Sequence, residues 1–211
     1  MKKLSTKLST ELGIKYPIFG FAHSTEVVAA ITNAGGYGVY GATRRFPHEI
    51  AEELAEIKDM VGDLPFGVDL VLPPGMPAHN SRAAIEAEIP LEHQDFVESL
   101  IQKYKIPEAS GPGMRTRFIR SSEIEEEQIK AVLDSEVNMF ACGIGSPPEV
   151  IRRAKELGKT TLALIGSPHH IERARQAGVD ILVAQGYDAG AHTGPIGTFS
   201  LVPKIVDEAN N

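Results

Sequence analysis

The sequence predicts an α/β fold of the (β/α)8 barrel type, truncated to about six βα units, with an insertion after the third strand. Three observations predict it. The tripeptide GSP occurs at residues 145–147 and again at 166–168, each time after an apolar strand (NMFACGI, then TTLALI) and before a helix, so short-looped βα units recur. The strands are apolar throughout, as in a parallel sheet covered on both faces. Small residues gather at or just past the strand carboxyl ends: Gly20, Ala22, Gly41, Ala42, Gly143, Gly145, Gly166 and Gly186. In a barrel that end carries the active site, and small residues there let a flat ligand approach the backbone. No GxGxxG follows the first strand, so a dinucleotide-binding start is unsupported.

Each element follows from local chemistry. YPIFGFA reads as a strand. Ser24 caps a helix through Val27, Val28 and Ile31 that stops at Ala34, Gly35 and Gly36. GYGVYGA is the second strand. PHEIAEELAEIKDMVG is a helix with Ile50, Leu54, Ile57 and Val61 on one face, and PFGVDLVLP is the third strand. In each GSP unit serine serves as N-cap and proline as first helical residue. Val150, Ile151, Ala154 and Leu157 then form one stripe, and Gly158 and Gly178 stop the two helices. The six strands are expected at about 16–21, 37–42, 66–72, 138–143, 160–165 and 180–185.

Residues 73–136 differ in character. They are rich in Pro, Gly and charge, with helices expected at LEHQDFVESLIQKY and SSEIEEEQIKAVLDS and a linker-like stretch at 106–120. The sequence reads as one partial barrel domain over 1–211, with 73–136 as an insertion or lid.

Composition narrows the function classes. The 211 residues are 42% hydrophobic and 23% charged, with a net charge of -7. That balance argues against a nucleic-acid partner. The acidic runs HEIAEELAE and SSEIEEEQ read as solvated helix faces. No apolar run approaches the roughly 18 residues of a membrane span. The lysines near the N-terminus precede no apolar h-region, so no secretory signal is read there. The single cysteine, Cys142, excludes an intrachain disulfide and fits the cytoplasmic location the sequence predicts; it reads as a small buried residue. His169 and His170 lack the i, i+4 spacing of a zinc helix, and His79 and His93 have no ligand constellation around them, so no metal site is expected.

The chemistry concentrates in AQGYDAGAHTG, residues 184–194, which surrounds His192 with Gly186, Gly190 and Gly194 directly after the sixth strand. Such a backbone turns sharply or approaches a ligand closely. An imidazole there can donate or accept a proton near neutrality. Asp188, four residues earlier, is expected to orient it, as a backbone carbonyl could also do.

This stretch, with YPIFGFAHSTEVVAAITNAGGYGVYGA and LPFGVDLVLP, resembles the nitronate monooxygenase (2-nitropropane dioxygenase) family of FMN-dependent TIM barrels. The resemblance covers nearly all of 12–207. It implies FMN as cofactor, with Gly20, Phe21, Ala22, Asp69, Gln185, Gly186 and Gly190 around it. It further implies a small-molecule nitronate and O2 as substrates and His192 as the catalytic group. By position alone, His23 just past the first strand is a candidate substrate contact or a residue of local turn chemistry, and Tyr187 is a candidate to flank the substrate. Flavin-dependent enoyl-acyl-carrier-protein reductases look similar in the same stretches. An NAD(P)H-dependent flavin reductase, or an inactive truncated barrel, is therefore the alternative reading.

Three departures from the family pattern stand out. Asp188 replaces Glu, Asp69 replaces Asn, and Ala191 replaces a glycine at a position where positive φ is expected. A full barrel also needs two further βα units. The sequence therefore predicts an open barrel edge, weak or no FMN binding by these residues alone, and self-association or a completing chain at that edge.

Overall fold

The computed structural model describes residues 4–78, 81–111, 113 and 117–209. Its centre is one parallel sheet of six strands in sequential order: β1 (Phe19–Ala22), β2 (Tyr37–Gly41), β3 (Gly67–Val71), β4 (Met139–Gly143), β5 (Thr160–Ile165) and β6 (Ile181–Ala184). Each strand pairs with its chain neighbour. An order without reversal is barrel order, whereas a doubly wound sheet reverses at a switch point. β1 and β6 are the edges, so the sheet is an open half-barrel.

The register explains which side chains share a face. Phe19 pairs with Tyr37, Phe21 with Val39, Gly41 with Asp69, Asp69 with Ala141, Ala141 with Leu162, and Leu162 with Ile181. This inner face holds a cluster of Tyr37, Val39, Met139, Ala141 and Leu162, joined by Leu12 and Ile14 of the N-terminal segment. The outer face carries Tyr40, Val68, Leu70, Phe140, Cys142 and Ala163 into the main core beneath the helices. The central strands are buried on both faces, which is why their sequence runs apolar without alternation. Towards the edges the inner face opens: Phe19, Phe21, Leu164 and Val183 are all exposed.

The helices that cover the outer face start and stop as their sequences dictate. A short α1 (Lys7–Glu11) lies ahead of β1, and the sequence reading did not include it. In α2 (Thr25–Asn33) the Ser24 side chain accepts from Val27 N. In α3 (Pro47–Val61) proline takes the first position, Ile50, Leu54, Ile57 and Val61 are buried, and Glu49 accepts from Phe46 N at 2.7 Å.

Residues Gly75–Glu126 form a compact unit of their own, distinct from Met1–Pro74 with Glu127–Asn211. That unit holds α4 (Arg82–Glu88), which the sequence reading did not include, α5 (Leu91–Tyr104) and the start of α6 (Ser122–Leu133). Of the stretch 106–120, residues 112 and 114–116 lie outside the described residues, as do His79 and Asn80. The second half of α6 belongs to the sheet unit, where Ile129, Val132 and Leu133 enter the main core.

The repeated GSP units give α7 (Pro148–Glu156) and, after a 3-10 turn at Pro168–His170, α8 (Ile171–Ala177). Two details differ from the sequence reading. The cap of α7 falls on Pro147, not Ser146, because the second proline of SPP takes the first helical position. Leu157 is exposed rather than part of the buried stripe, since α7 ends at Glu156 and the chain turns at Gly158 with φ +74°. The last helix, α9 (Thr198–Ala209), buries Leu201 and Ile205 and leaves Phe199, Val202 and Val206 exposed.

Polar side chains brace the amino-terminal face of the sheet. Lys159 is buried and donates to the carbonyls of Ser135 and Val137 at 2.7 and 3.0 Å, and burial holds its pKa below the ordinary lysine value. Asp180 accepts from the backbone and hydroxyl of Thr161 at 2.9 and 2.7 Å and from Lys155 at 2.7 Å.

Candidate active site

The carboxyl ends of the strands bring together the tip of β1 (Phe21 to His23), the loop after β2, Asp69 on β3, the Gly143 turn after β4, and the loop after β6. All lie on one end of one sheet, the end where barrel enzymes build their sites.

At β1 the alternation of faces separates the three residues of the predicted tip. Phe21 is on the inner face and exposed. Ala22 packs against the outer core. Gly20 is small for an internal reason: a Cβ there would stand 2.6 Å from Ile31 Cδ1 of α2. The same holds for Gly186, whose Cβ would stand 2.2 Å from Thr198 N, for Gly145 against the Leu72 carbonyl, and for Gly166 against Gly194. Close packing against neighbouring elements is thus reason enough for glycine at these four positions, apart from any ligand. Gly190 differs, with open space around the position of a Cβ, and at Gly143 a Cβ would meet only Val71 Cγ2 at 3.8 Å, an ordinary contact.

His23 is held tightly. Its Nδ1 lies 2.8 Å from the Gly41 carbonyl and its ring meets Phe21 edge-on at 5.0 Å. A carbonyl only accepts, so Nδ1 carries a proton and Nε2 is left to accept. Gly41 has to be glycine for this contact, since a Cβ would stand 2.6 Å from the imidazole.

The loop after β2 is anchored by a network that sequence reasoning missed. Arg45 Nε donates to Tyr40 Oη and Glu53 Oε2, both at 2.9 Å, and Tyr40 hydrogen-bonds Glu53. Gln128 of α6 is buried and donates to the carbonyls of Thr43 and Arg45 at 3.1 and 2.7 Å. Thr43 in turn accepts from Val71 N at 2.9 Å, joining this loop to the end of β3. The clue in the sequence was a lone Gln inside a run of glutamates; the run was read as wholly solvated.

Asp69 is buried on the inner face of β3 beside Gly41 and Ala141. Burial pushes its pKa up to about 7. The Cys142 thiol is pushed up to about 12, first by burial and then by the charge of Asp69, and it donates to the Leu162 carbonyl. Such a thiol is not a nucleophile near neutral pH.

The loop after β6 is compact. Gln185 Nε2 donates to the Gly190 carbonyl at 3.3 Å, and Gly190 N donates to the Tyr187 carbonyl, closing a 3-10 turn at Tyr187–Ala189. Gly190 has φ +77° and Ala191 φ +60°. The sequence-based suspicion about Ala191 is met: its Cβ sits in the left-handed region. The role expected of Asp188 is corrected. Its carboxylate accepts from Thr198 N at 2.7 Å and so starts α9, and no hydrogen bond joins it to His192 among the described residues. His192 and Tyr187 are exposed. A shallow hollow lined by Tyr187, Asp188 and residues 195–200 lies beside this loop and includes no other predicted site residue.

Comparison with known proteins fits this arrangement. A sequence model of the family described as nitronate monooxygenase matches residues 2–210. The chain belongs to the nitronate monooxygenase family. It is 36% identical to the putative monooxygenase Rv1533 of Mycobacterium tuberculosis over 97% of this chain and 56% of that protein. It is 30% identical to a probable nitronate monooxygenase of Staphylococcus saprophyticus over 99% and 59%. The chain thus spans somewhat more than half the length of the curated relatives it matches. Among solved structures, a nitroalkane oxidase from Streptomyces ansochromogenes superposes with a TM-score of 0.67 at 24% identity, over 92% of this chain and 55% of that one. FabK from Thermotoga maritima superposes with a TM-score of 0.67 at 22% identity, over 97% and 51%. Those two likenesses bear on the fold alone.

Proposed function

We propose that the chain serves the FMN-dependent oxidation of alkyl nitronates with O2. The observation that carries the reading is the family match over 2–210 together with the AQGYDAGAHTG loop, which sets Gln185, Gly190 and His192 at the same end of the sheet as the buried Asp69.

The residues present fit a flavin at three places. Open space surrounds Gly190, and Gly143 stands no closer than 3.8 Å to Val71 Cγ2, so a planar ligand meets no Cβ of either residue. Asp69, with its pKa raised, is available in its neutral form, a donor and acceptor like the Asn of other family members. The Gln185 amide lies beside Gly190. Asp69, Gln185, Gly186, Gly190 and the β1 tip Gly20, Phe21 and Ala22 would hold FMN, which when bound supplies the electron-accepting chemistry.

The imidazole of His192 hydrogen-bonds the nitro oxygens of the substrate. With a neutral nitroalkane it removes the α-proton: the C–H bond breaks, its electron pair moves into the nitro group to give the nitronate, and the proton rests on the imidazole. His23, its Nδ1 tied to Gly41, offers Nε2 to the substrate, and Tyr187 flanks it.

The test is a visible spectrum of the purified chain followed by oxygen uptake with propionate 3-nitronate and 2-nitropropane anion, with FMN added in excess because weak binding is expected of these residues alone. The expected result is uptake that depends on nitronate and is lost in His192→Asn. Full activity in that variant would remove the role assigned to His192. NAD(P)H oxidation without nitronate would point instead to a flavin reductase, and a flavin-free protein that consumes no oxygen would leave the residues with ancestry alone.

A further inference from the structure

Helix α5 buries none of its 14 residues. Phe96, Val97, Ile101 and Tyr104 are nevertheless large and exposed, at 62, 53, 37 and 65%. With the half-buried Leu100 they fall on one side of the helix, at spacings of one, three and four residues. Ile85 of the preceding α4, Ile89 just past it and Ile106 just past α5 are exposed as well. Single exposed apolar residues are ordinary, but a continuous stripe marks an interaction surface.

The charges beside the stripe say what covers it. Glu92 stands in the first turn of α5 and Lys103 in the last. At 100° per residue the two are offset by only about 20° around the axis, so both border the Phe96 side of the stripe. Their midpoint falls between Val97 and Glu98, within the stripe. A twofold axis through that point lays stripe on stripe in antiparallel fashion. It sets Glu92 against Lys103 of the partner subunit and Lys103 against the partner's Glu92. A parallel pair would carry the partner's Glu92 and the partner's Lys103 to the opposite flank of the stripe, where neither meets its counterpart. The antiparallel arrangement also opposes the two helix dipoles.

We propose that α5 is a self-association surface on which a second copy of this chain docks antiparallel through Phe96, Val97, Leu100, Ile101 and Tyr104, with register fixed by the Glu92–Lys103 pairs. The inference is independent of the flavin chemistry. One helix pair is at the small end of stable interfaces, so the dimer is concentration-dependent.

Sedimentation equilibrium of the 211-residue chain, from about 1 to about 200 μM, tests it. The expected mass climbs from 22.8 kDa towards twice that value. Val97→Asp holds the chain at monomer mass with an unchanged circular dichroism spectrum. Glu92→Lys alone weakens association about tenfold, and Glu92→Lys with Lys103→Glu restores it to within about threefold, because the swapped charges again face their opposites. A monomer at every concentration overturns the proposal. So does a dimer that Val97→Asp leaves intact, which would place association elsewhere, for example on the open strands β1 and β6. A double reversal that fails to restore affinity overturns the antiparallel register.

Discussion

The carboxylate of Asp188 accepts a hydrogen bond from the backbone N–H of Thr198 at 2.7 Å, so the acid of the glycine-rich loop caps the helix that follows it. The loop and α9 are therefore one unit: Gly186 packs against Thr198, Tyr187 N donates to the Ile196 carbonyl, and Asp188 closes the contact. Among the described residues no side chain hydrogen-bonds His192, so backbone geometry between these anchors positions it.

Asp188→Ala removes the cap. The expected outcome is a lower Tm and faster hydrogen exchange in the first turn of α9, with β1 to β5 unaffected. The hydrogen bonds from Thr198 hold the Asp188 pKa below the ordinary carboxylate value. Its stabilising contribution is therefore present above that value and is lost as the pH falls through the lowered one. Hydrogen exchange at pH 7 and at a pH below the ordinary carboxylate value of 3.8 checks the sign.

Asp69 works in the opposite direction. Burial raises its pKa to about 7 from 3.8. The folded state then holds a proton that the unfolded state has released, so stability falls as the pH rises from about 4 to about 7 and levels off above. A shift of that size corresponds to a few kcal/mol, on the order of 1.4 per unit. Asp69→Asn removes the charge at constant shape. The variant is expected to be more stable than the parent at pH 8, with the difference closing near pH 4. Denaturant midpoints across that range decide it; parallel pH profiles for parent and variant would show that Asp69 stays ionised when buried.

Much of this fold was legible in the sequence because its strands and helices obey strong local rules. Apolar runs of five or six residues bounded by glycine fell where β2 to β5 lie, and Ser24, Pro47, Gly158 and Gly178 marked helix ends through capping chemistry that does not depend on tertiary context. The site was legible only as a place. That Gly20 faces Ile31, that Gly186 faces Thr198 and that Asp188 caps α9 depend on which side of a strand a residue takes and on what packs there. Gln128 is the clearest case: its neighbours are charged, and its burial follows from the second half of α6 entering the core of the sheet unit.

Gln128→Leu should therefore cost more than a surface change. The carbonyls of Thr43 and Arg45 lose their donor while the side-chain volume stays. Stranding a fully buried acceptor costs about 1–3 kcal/mol, and these two partly buried carbonyls cost less than that each. A Tm lowered by several degrees, with the Thr43 to Phe46 loop becoming protease-sensitive, is the expected result. A Gln128→Glu variant should fare no better, because it presents a carboxylate to two carbonyl oxygens.

Ala191 and Ile144 sit at φ +60° and +59°, in the region that L-residues avoid. For a side chain with a Cβ this costs about 1–2 kcal/mol. Ala191→Gly restores the residue that the family pattern carries there and relieves the strain, so its Tm is expected to rise by about 2–4 °C in a chain of this size. Ile144 is β-branched and half exposed, so Ile144→Gly loses little burial and is expected to stabilise at least as much. If both variants melt below the parent, the strain is outweighed by the flexibility that glycine adds to the unfolded chain. If Ala191→Gly gains stability but weakens flavin binding, the left-handed turn before His192 is held open for the cofactor by the very side chain that strains it.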